Sequence, residues 1–153
     1  MPGDVLGRGE PALRDAAEIV ARAAADEDAA DRARERYRAG QMLPLAPDAR
    51  AAAFLEPGEV LVAIRQSAQL ERRQPQAGSG TPSGLGGTLY VTSQRLVLLG
   101  RVRLTIGLDE IQEAFLSGER LLLVLRDGQG IALEASLLRL LRVEIAAARA
   151  ANR

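Results

Sequence analysis

The chain lacks several residue types on which enzyme chemistry and metal binding depend. It contains no cysteine and no histidine, and all 20 of its basic residues are arginine. A cysteine nucleophile, a histidine base and a Schiff-base lysine are therefore excluded. A zinc site would have only carboxylates as ligands, and a Walker A phosphate loop would lack its lysine. These absences predict a protein that is not an enzyme and that uses no cofactor and no metal.

Aromatic residues and net charge are also scarce. Aromatic side chains make up 3 % of the 153 residues, there is no tryptophan, and 20 acidic residues balance the 20 basic ones. The core must therefore be built from leucine, valine and isoleucine. The chain has neither the basic excess nor the clustered aromatic platforms of proteins that bind nucleic acid, so we expect no nucleic-acid partner.

Long apolar runs are missing as well. No stretch reaches the roughly 18 apolar residues of a membrane-spanning helix. The first ten residues, MPGDVLGRGE, lack the basic start and apolar stretch of a secretory signal. These features predict a cytoplasmic protein, and attachment to the inner face of the membrane stays open as an alternative.

The N-terminal third of the chain has the pattern of a helix. Residues 1–9 are rich in glycine and predict a disordered start, whereas residues 10–39 contain no glycine. The apolar residues of this second segment recur at helical spacing, on one stripe formed by Leu13, Ala17, Val20 and Ala24. The acidic run 26–28 leaves open whether there is one long helix or two short ones. The helix could dock on the rest of the fold, form a homo-oligomer with a second copy, or stay free.

A proline-rich connector separates this helix from a region with a different pattern. Residues 41–58 contain Pro44, Pro47 and Pro57, which favour an extended path with a short helical turn after Pro47. We therefore predict two parts, a helical extension with its connector over residues 1–53 and a β-rich domain over residues 54–153.

The β-rich domain shows short apolar segments with a period of two, separated by turn residues. Residues 74–87 are rich in glycine, proline and serine and predict a long mobile hairpin loop. Many short strands joined by tight turns favour an antiparallel barrel or sandwich. The predicted strands are residues 59–65, 87–92, 95–100, 102–108, 111–117, 120–126 and 130–135.

Residues 136–151 predict a closing helix. Ser136 is a residue type favoured at a helix N-cap. Leu141 and Ile145 lie on the apolar stripe of this segment. We expect both side chains to be buried against the open apolar end of the sheet.

One run of residues is similar to a known family. The segment 87–98, GTLYVTSQRLVL, follows a first-strand segment, GEVL, at residues 58–61 and precedes IGLDEI at residues 106–111. In this order the three segments resemble GRAM and bacterial pleckstrin-homology-like domains, over about residues 54–150. The resemblance implies an α+β, mainly β fold, in which a seven-stranded, partly open antiparallel barrel is capped by a C-terminal helix.

The same resemblance suggests what the protein does. Domains of this family bind lipid headgroups, peptides or other proteins and are not enzymes. The leading hypothesis is a non-catalytic adaptor or scaffold that binds a protein partner through a barrel edge, the N-terminal helix, or both. The alternative is binding of lipid headgroups at a membrane surface, for which the first hairpin offers Arg65, Arg72 and Arg73.

We name residues 87–98 the family-like segment. Its polar residues also have a structural interpretation. Thr92 and Ser93 are hydroxyl residues at a tight turn, where they are expected to satisfy free backbone amides. Arg95 is expected to pair with an acidic side chain at the rim of the barrel.

Overall fold

The computed structural model describes residues 2–73 and 83–152. Helix α1 covers Pro2–Arg38, a short helix α2 covers Ala49–Phe54, and helix α3 covers Leu138–Ala151. Seven strands lie between α2 and α3, with a 3₁₀ turn between the fourth and the fifth. They are β1 Leu61–Arg73, β2 Ser83–Thr92, β3 Arg95–Gly100, β4 Arg103–Gly107, β5 Ile111–Ser117, β6 Arg120–Leu125 and β7 Gly130–Glu134.

The seven strands form one antiparallel sheet in the order β4-β3-β2-β1-β7-β6-β5. The α+β class, the seven strands and the two flanking helices are therefore confirmed. The long strand β1 lies at the centre of the sheet. Its residues 61–72 pair with β2, and its residues 69–73 pair with β7. Part of the predicted loop at 74–87 is wrong, because β2 already begins at Ser83. Residues 74–82 of that loop lie outside the described residues.

The sheet is not closed into a barrel, and on this point the prediction is wrong. Strands β4 and β5 are its two edges. Helix α3 instead contributes Leu141, Ile145 and Ala148 to the same apolar core as the strands. The apolar interior is thus covered by a helix, so no β4–β5 ladder is needed to bury it.

Helix α3 is anchored as expected, although its cap differs from the prediction. Leu141 and Ile145 are both 0 % exposed, which confirms their burial. Ser136 is not the N-cap. Leu137 precedes the helix with a left-handed backbone (φ 53°) and makes no capping side-chain bond.

The cap comes from another helix. The carboxylate of Asp26 in α1 accepts hydrogen bonds from the backbone N–H of Arg139 (2.8 Å) and of Leu140 (2.9 Å). This arrangement satisfies two of the N–H groups that a helix start leaves unpaired, and it ties α1 to α3.

Helix α1 is a single helix of 37 residues, about 55 Å long at 1.5 Å per residue. The acidic run at 26–28 does not interrupt it, and Asp26 within that run bonds to α3. The predicted disorder is wrong for residues 2–9, since α1 begins at Pro2, and proline suits a first turn. The helix includes Gly3, Gly7 and Gly9, although glycine is unfavourable inside a helix.

The two halves of α1 have different surroundings. In residues 26–38, the docked half, Ala30 and Ala33 are fully buried against Val143 of α3. Residues 12–25, which we name the arm, continue beyond the start of α3. The arm leaves its large apolar side chains exposed, among them Leu13 and Val20. None of the helices in the described part of the chain has the length and hydropathy needed to cross a membrane.

Candidate functional site

The turn between β2 and β3 is stabilised by side-chain hydroxyls, as the sequence predicts. Thr92 Oγ1 accepts hydrogen bonds from the backbone N–H of Gln94 (3.1 Å) and Arg95 (3.0 Å). Ser93 Oγ accepts one from the N–H of Val60 (3.0 Å). The family-like segment therefore fastens the start of β1 to the β2–β3 turn.

Arg95 forms the expected ion pair, and its partner is Glu59. Its Nε and Nη2 atoms lie 2.9 Å from the two carboxylate oxygens of Glu59, and Nη2 also donates to the carbonyl of Phe54 (2.7 Å). Burial alone would raise the pKa of Glu59. The hydrogen bonds from Arg95, Thr92 and the N–H of Glu56 outweigh that effect and lower the pKa. The pair is thus held charged, and it joins the connector to the sheet.

Helix α2 closes the same end of the sheet. The Asp48 carboxylate caps α2 by accepting from the N–H of Ala51 (2.7 Å) and also accepts from the Tyr90 hydroxyl (2.9 Å). The first of these bonds is the main reason why the pKa of Asp48 is lowered. The rings of Phe54 and Tyr90 meet edge to face, with centroids 5.4 Å apart. We name this end, comprising α2, Glu59, Tyr90, Thr92 and Arg95, the capped end.

The three arginines proposed for a membrane surface do not form one exposed patch. Arg65 is 8 % exposed. Its Nη2 lies 2.6 Å from the carboxylate of Glu144 in α3, and its Nε donates to the carbonyl of Ser136 (2.8 Å). Arg65 therefore links β1 to the start of α3 inside the protein. Arg65 is buried because its guanidinium compensates the carboxylate of Glu144, which α1 and α3 have buried.

The other two arginines lie at the far end of β1. Arg72 is half-buried and donates from Nε to the side-chain oxygen of Gln129 (2.7 Å). The backbone of Arg73 is paired with that of Gly130, and its side chain lies outside the described residues.

The docked half of α1 covers the Arg65–Glu144 pair. Burial raises the pKa of Glu144, and the nearby guanidinium of Arg65 opposes this shift without cancelling it. Burial also raises the pKa of Tyr37 in α1, and the charge of Glu144 adds to the shift. Undocking of α1 would expose this polar cluster together with the start of α3.

Strand β5 is one of the two edges of the sheet. Strands β5 and β6 are joined by a two-residue turn in which Gly118 has φ 61°, as a type II′ hairpin turn requires. The two residues that flank such a turn, here Ser117 and Arg120, are hydrogen-bonded to each other. Along an antiparallel ladder, hydrogen-bonded pairs alternate with pairs that are not hydrogen-bonded. Leu116 and Ala114 therefore belong to pairs that are not hydrogen-bonded, and their backbone N–H and C=O groups point away from β6.

The first part of this edge is covered by α3, whereas most of residues 113–117 is exposed. Arg149 of α3 donates from Nη2 to the carbonyls of Ile111 (2.7 Å) and Gln112 (3.3 Å). The remaining stretch of β5, residues 113–117, carries Phe115, whose side chain is 37 % exposed. Outward-pointing backbone groups beside an exposed aromatic ring make this stretch a template for a further strand.

A groove of about 890 Å³ lies beside the end of β5. It is bounded by the arm, the β5–β6 turn and the start of α3, and we refer to it below as the groove. The left-handed residue Leu137 forms part of its wall. The apolar side chains that line it are Ile19, Ala23, Leu116, Ala135, Leu137 and Leu138.

The three arginines that line the groove are each paired with a carboxylate. Arg120 lies 2.8 Å from Glu134 and 3.0 Å from Glu71, Arg139 lies 3.0 Å from Glu27, and Arg22 lies 3.5 Å from Glu18. The groove therefore offers an apolar surface whose arginines already have carboxylate partners. Within the described ranges no group of three or more acidic, histidine or cysteine side chains has the arrangement of a metal site.

Sequence reasoning missed this side of the molecule. The exposed aromatic at the centre of β5 and the turn at Ser117-Gly118 were visible as local signals. The arm that forms the other wall is distant from both in the chain, so no local pattern connects them. Comparison of the sequence with models of known protein families and with curated proteins finds no match.

Proposed function

We propose that the protein is a non-catalytic interaction module, an adaptor or scaffold of the pleckstrin-homology-like type, which binds an extended segment of a partner protein along β5. The domain is formed by residues 54–153, and residues 1–53 are its helical extension and connector. Seven strands followed by a helix, in the order that the family-like segments imply, support the fold assignment.

The observation that carries this proposal is the open edge of β5 next to the groove. Ala114 and Leu116 direct backbone donors and acceptors outward, so an added strand can continue the sheet by main-chain hydrogen bonds. Leu116 also lines the groove. A side chain of the added strand can therefore enter the groove while the backbone pairs with β5.

The groove selects the chemistry of that side chain. Because Arg120 and Arg139 already have carboxylate partners, a further carboxylate in the groove would be desolvated without compensation, which is costly, and most of the remaining lining is apolar. Side chains on one face of a strand recur every second residue. The partner segment should therefore carry uncharged apolar residues at alternate positions.

The other edge of the sheet is less suited to this role. Strand β4 has only five residues, and Arg103 on it and Arg101 just before it are exposed. Charged side chains on an edge strand are a common protection against pairing with other chains. We therefore place the partner on β5 and not on β4.

The test uses random peptides displayed on phage, selected against the full chain. We expect enrichment of sequences with alternating apolar residues. Ala114→Pro removes an outward N–H without removing a bond to β6, and Ala114→Val is the matched control that keeps the N–H. Loss of that bond and distortion of the edge should weaken the selected peptides about tenfold for Ala114→Pro and leave Ala114→Val unchanged.

Two results would overturn the proposal. One is the absence of any enriched pattern, and the other is equal binding by the proline and valine variants. Flotation with anionic and neutral vesicles covers lipid headgroups as the competing class of ligand. Salt-sensitive binding to anionic vesicles alone, lost in Arg72→Glu and accompanied by no peptide enrichment, would replace a protein partner by a membrane surface at the inner face of the membrane.

A further inference from the structure

The edge strand β5 presents two faces to any strand that is added to it. Ala114 and Leu116 lie on the face that packs against the core, and Leu116 borders the groove. Successive side chains of a strand point to opposite faces, so Glu113, Phe115 and Ser117 lie on the other face, which we name the outer face. Every second residue of an added strand would meet the groove side, and the residues between them would meet the outer face.

The outer face carries an apolar row that begins at the strand edge. Phe115 is directly opposite Leu122 of β6, and Leu122 is opposite Ala132 of β7. Opposed residues of an antiparallel pair share a face of the sheet, so the three side chains lie side by side across the strands. The row is buried at Ala132 and exposed at Phe115. An apolar side chain placed beside Phe115 would therefore continue the row and cover the ring.

The backbone of β5 brings a partner residue close to Phe115. The N–H and C=O groups of Ala114 and Leu116 point away from β6, so those of Phe115 point toward β6. In an added antiparallel strand, the residue opposite Phe115 therefore forms a pair that is not hydrogen-bonded. The Cα atoms of such a pair are about 4.5 Å apart, against about 5.5 Å in a hydrogen-bonded pair. An aromatic side chain at this close spacing pairs favourably with an aromatic or β-branched one.

A charge on the outer face adds a second requirement. Glu113 lies two residues before Phe115 on the same face, and its side chain is exposed. None of the ion pairs within the described part of the chain involves Glu113. Arg120, at the other end of the outer face, is by contrast paired with Glu71 and Glu134. Opposite charges directly across two strands are favourable, so the free carboxylate favours a basic residue on the partner.

We propose that the partner strand runs antiparallel to β5, with an aromatic or β-branched residue opposite Phe115 and an arginine or lysine opposite Glu113. This inference rests on the proposed strand addition and extends recognition from the groove to the outer face. Along the partner, the aromatic or β-branched residue comes first and the basic residue follows two positions later. The residues directly before and after the first of these face Leu116 and Ala114 and are apolar. A parallel strand would carry the basic residue first, so the order reports the direction.

The phage selection tests the pattern and the direction together. Against the unmodified chain, we expect an aromatic or β-branched residue followed two positions later by arginine or lysine. Against Glu113→Arg, the second position should change to aspartate or glutamate, because like charges directly opposite each other are unfavourable. The control Asp109→Arg makes the same change of charge at an exposed site before β5 and should leave the pattern unchanged.

Affinities of synthetic peptides, measured by titration calorimetry, test each pair. A selected peptide with arginine opposite Glu113 should bind Glu113→Arg about two- to fivefold more weakly than it binds the unmodified chain. Replacement of that arginine by glutamate should restore binding to Glu113→Arg. Phe115→Ala should weaken a peptide with the aromatic residue by a similar factor and leave a peptide with alanine at that position unchanged. A merely structural role of Glu113 or Phe115 would not produce this rescue by the peptide.

The outcomes separate the outer face from strand addition itself. Peptides that need the N–H of Ala114 but show no preference on the outer face overturn this inference and leave strand addition standing. A basic residue that persists against Glu113→Arg does the same. The reverse order of the two residues overturns the antiparallel direction. Equal binding by Ala114→Pro and Ala114→Val, or no enriched peptide at all, overturns strand addition and the outer-face pattern with it.

Discussion

The capped end of the sheet and the side formed by β5 and the arm differ in composition: polar side chains with hydrogen-bond partners dominate the first, and exposed apolar side chains dominate the second. At the capped end, Glu59 accepts from both Thr92 and Arg95, and Tyr90 and Asp48 bond to each other. On the other side, Phe115, Leu13 and Val20 are exposed, and the strand edge is open.

This difference separates the residues that mark the fold from those suited to binding. The family-like segment contains the most recognisable residues of the chain, and the structure uses them to fasten the connector and the β2–β3 turn. The surface that we propose for a partner is built from residues with no recognisable motif. In this protein the motif therefore marks contacts within the fold, and the proposed binding site lies outside it.

The largest effect is expected from Glu59→Ala at the capped end. Its carboxylate is fully buried against Arg95, and removal of one member of a buried ion pair costs about 3–5 kcal/mol. Urea unfolding measures the loss. The control Glu113→Ala, on the exposed part of β5, should change the unfolding free energy by no more than about 0.5 kcal/mol. Similar values for the two variants would remove the distinction between the two sides.

The same carboxylate predicts a dependence on pH. The folded-state pKa of Glu59 is lowered, so its contribution to stability is present above the pKa of the unfolded chain and is lost as pH falls through the folded-state value. Unfolding free energies measured on the acid side should therefore fall less steeply for Glu59→Gln than for the unmodified chain. An unchanged slope would mean that Glu59 is not held charged.

Leu141→Ala should have the next largest effect, because its side chain is fully buried between α3 and the sheet. Removal of a buried leucine side chain costs about 2–5 kcal/mol. Leu13→Ala makes the same chemical change at an exposed position of the arm and should cost no more than about 0.5 kcal/mol. Equal losses would show that the arm is packed like the core.

Asp26→Ala should have a moderate effect on stability and a specific one on α1. Loss of a helix cap costs about 0.5–2 kcal/mol, and here the cap also holds α1 on α3. Limited proteolysis should cut α1 of this variant faster than α1 of the unmodified chain. Asp28→Ala, at an exposed position two residues along, is the control and should be cut at the unmodified rate. If both variants resist proteolysis equally, the cap does not hold the helix in place.

The smallest effect on stability is expected from Phe115→Ser. Its side chain is partly exposed on an edge strand, and substitutions at such surfaces change stability by about 0.5 kcal/mol or less. Binding of the phage-selected peptides should nevertheless weaken, since the ring lies beside the proposed added strand. A large loss of stability in thermal unfolding would assign Phe115 to the core and not to a binding surface.

Local patterns in the sequence were sufficient for most of the fold. The alternation of apolar residues identified all seven strands, and the turn residues placed most of their ends within a few positions. The burial of Leu141 and Ile145 followed from helical spacing. The pairing of Arg95 with a carboxylate followed from its place beside a tight turn.

The features that could not be predicted depend on contacts between distant residues. Ser136 is a good N-cap by residue type, but the carboxylate of Asp26, more than 100 residues away, takes that role. Arg65 is an ordinary surface residue by type, yet Glu144 draws it into the interior. The sheet stays open because α3 covers its apolar face. The position of α3 cannot be predicted from the pattern of residues in the strands.

The most direct test of the account is amide hydrogen exchange of the full chain with and without a phage-selected peptide. We predict that residues 113–117 of β5 gain protection when the peptide is bound, while residues 87–100 exchange slowly and equally in both samples. Unchanged exchange of residues 113–117 in the presence of a bound peptide would contradict the account. A change confined to residues 87–100 would contradict it as well, because it would place the peptide at the capped end.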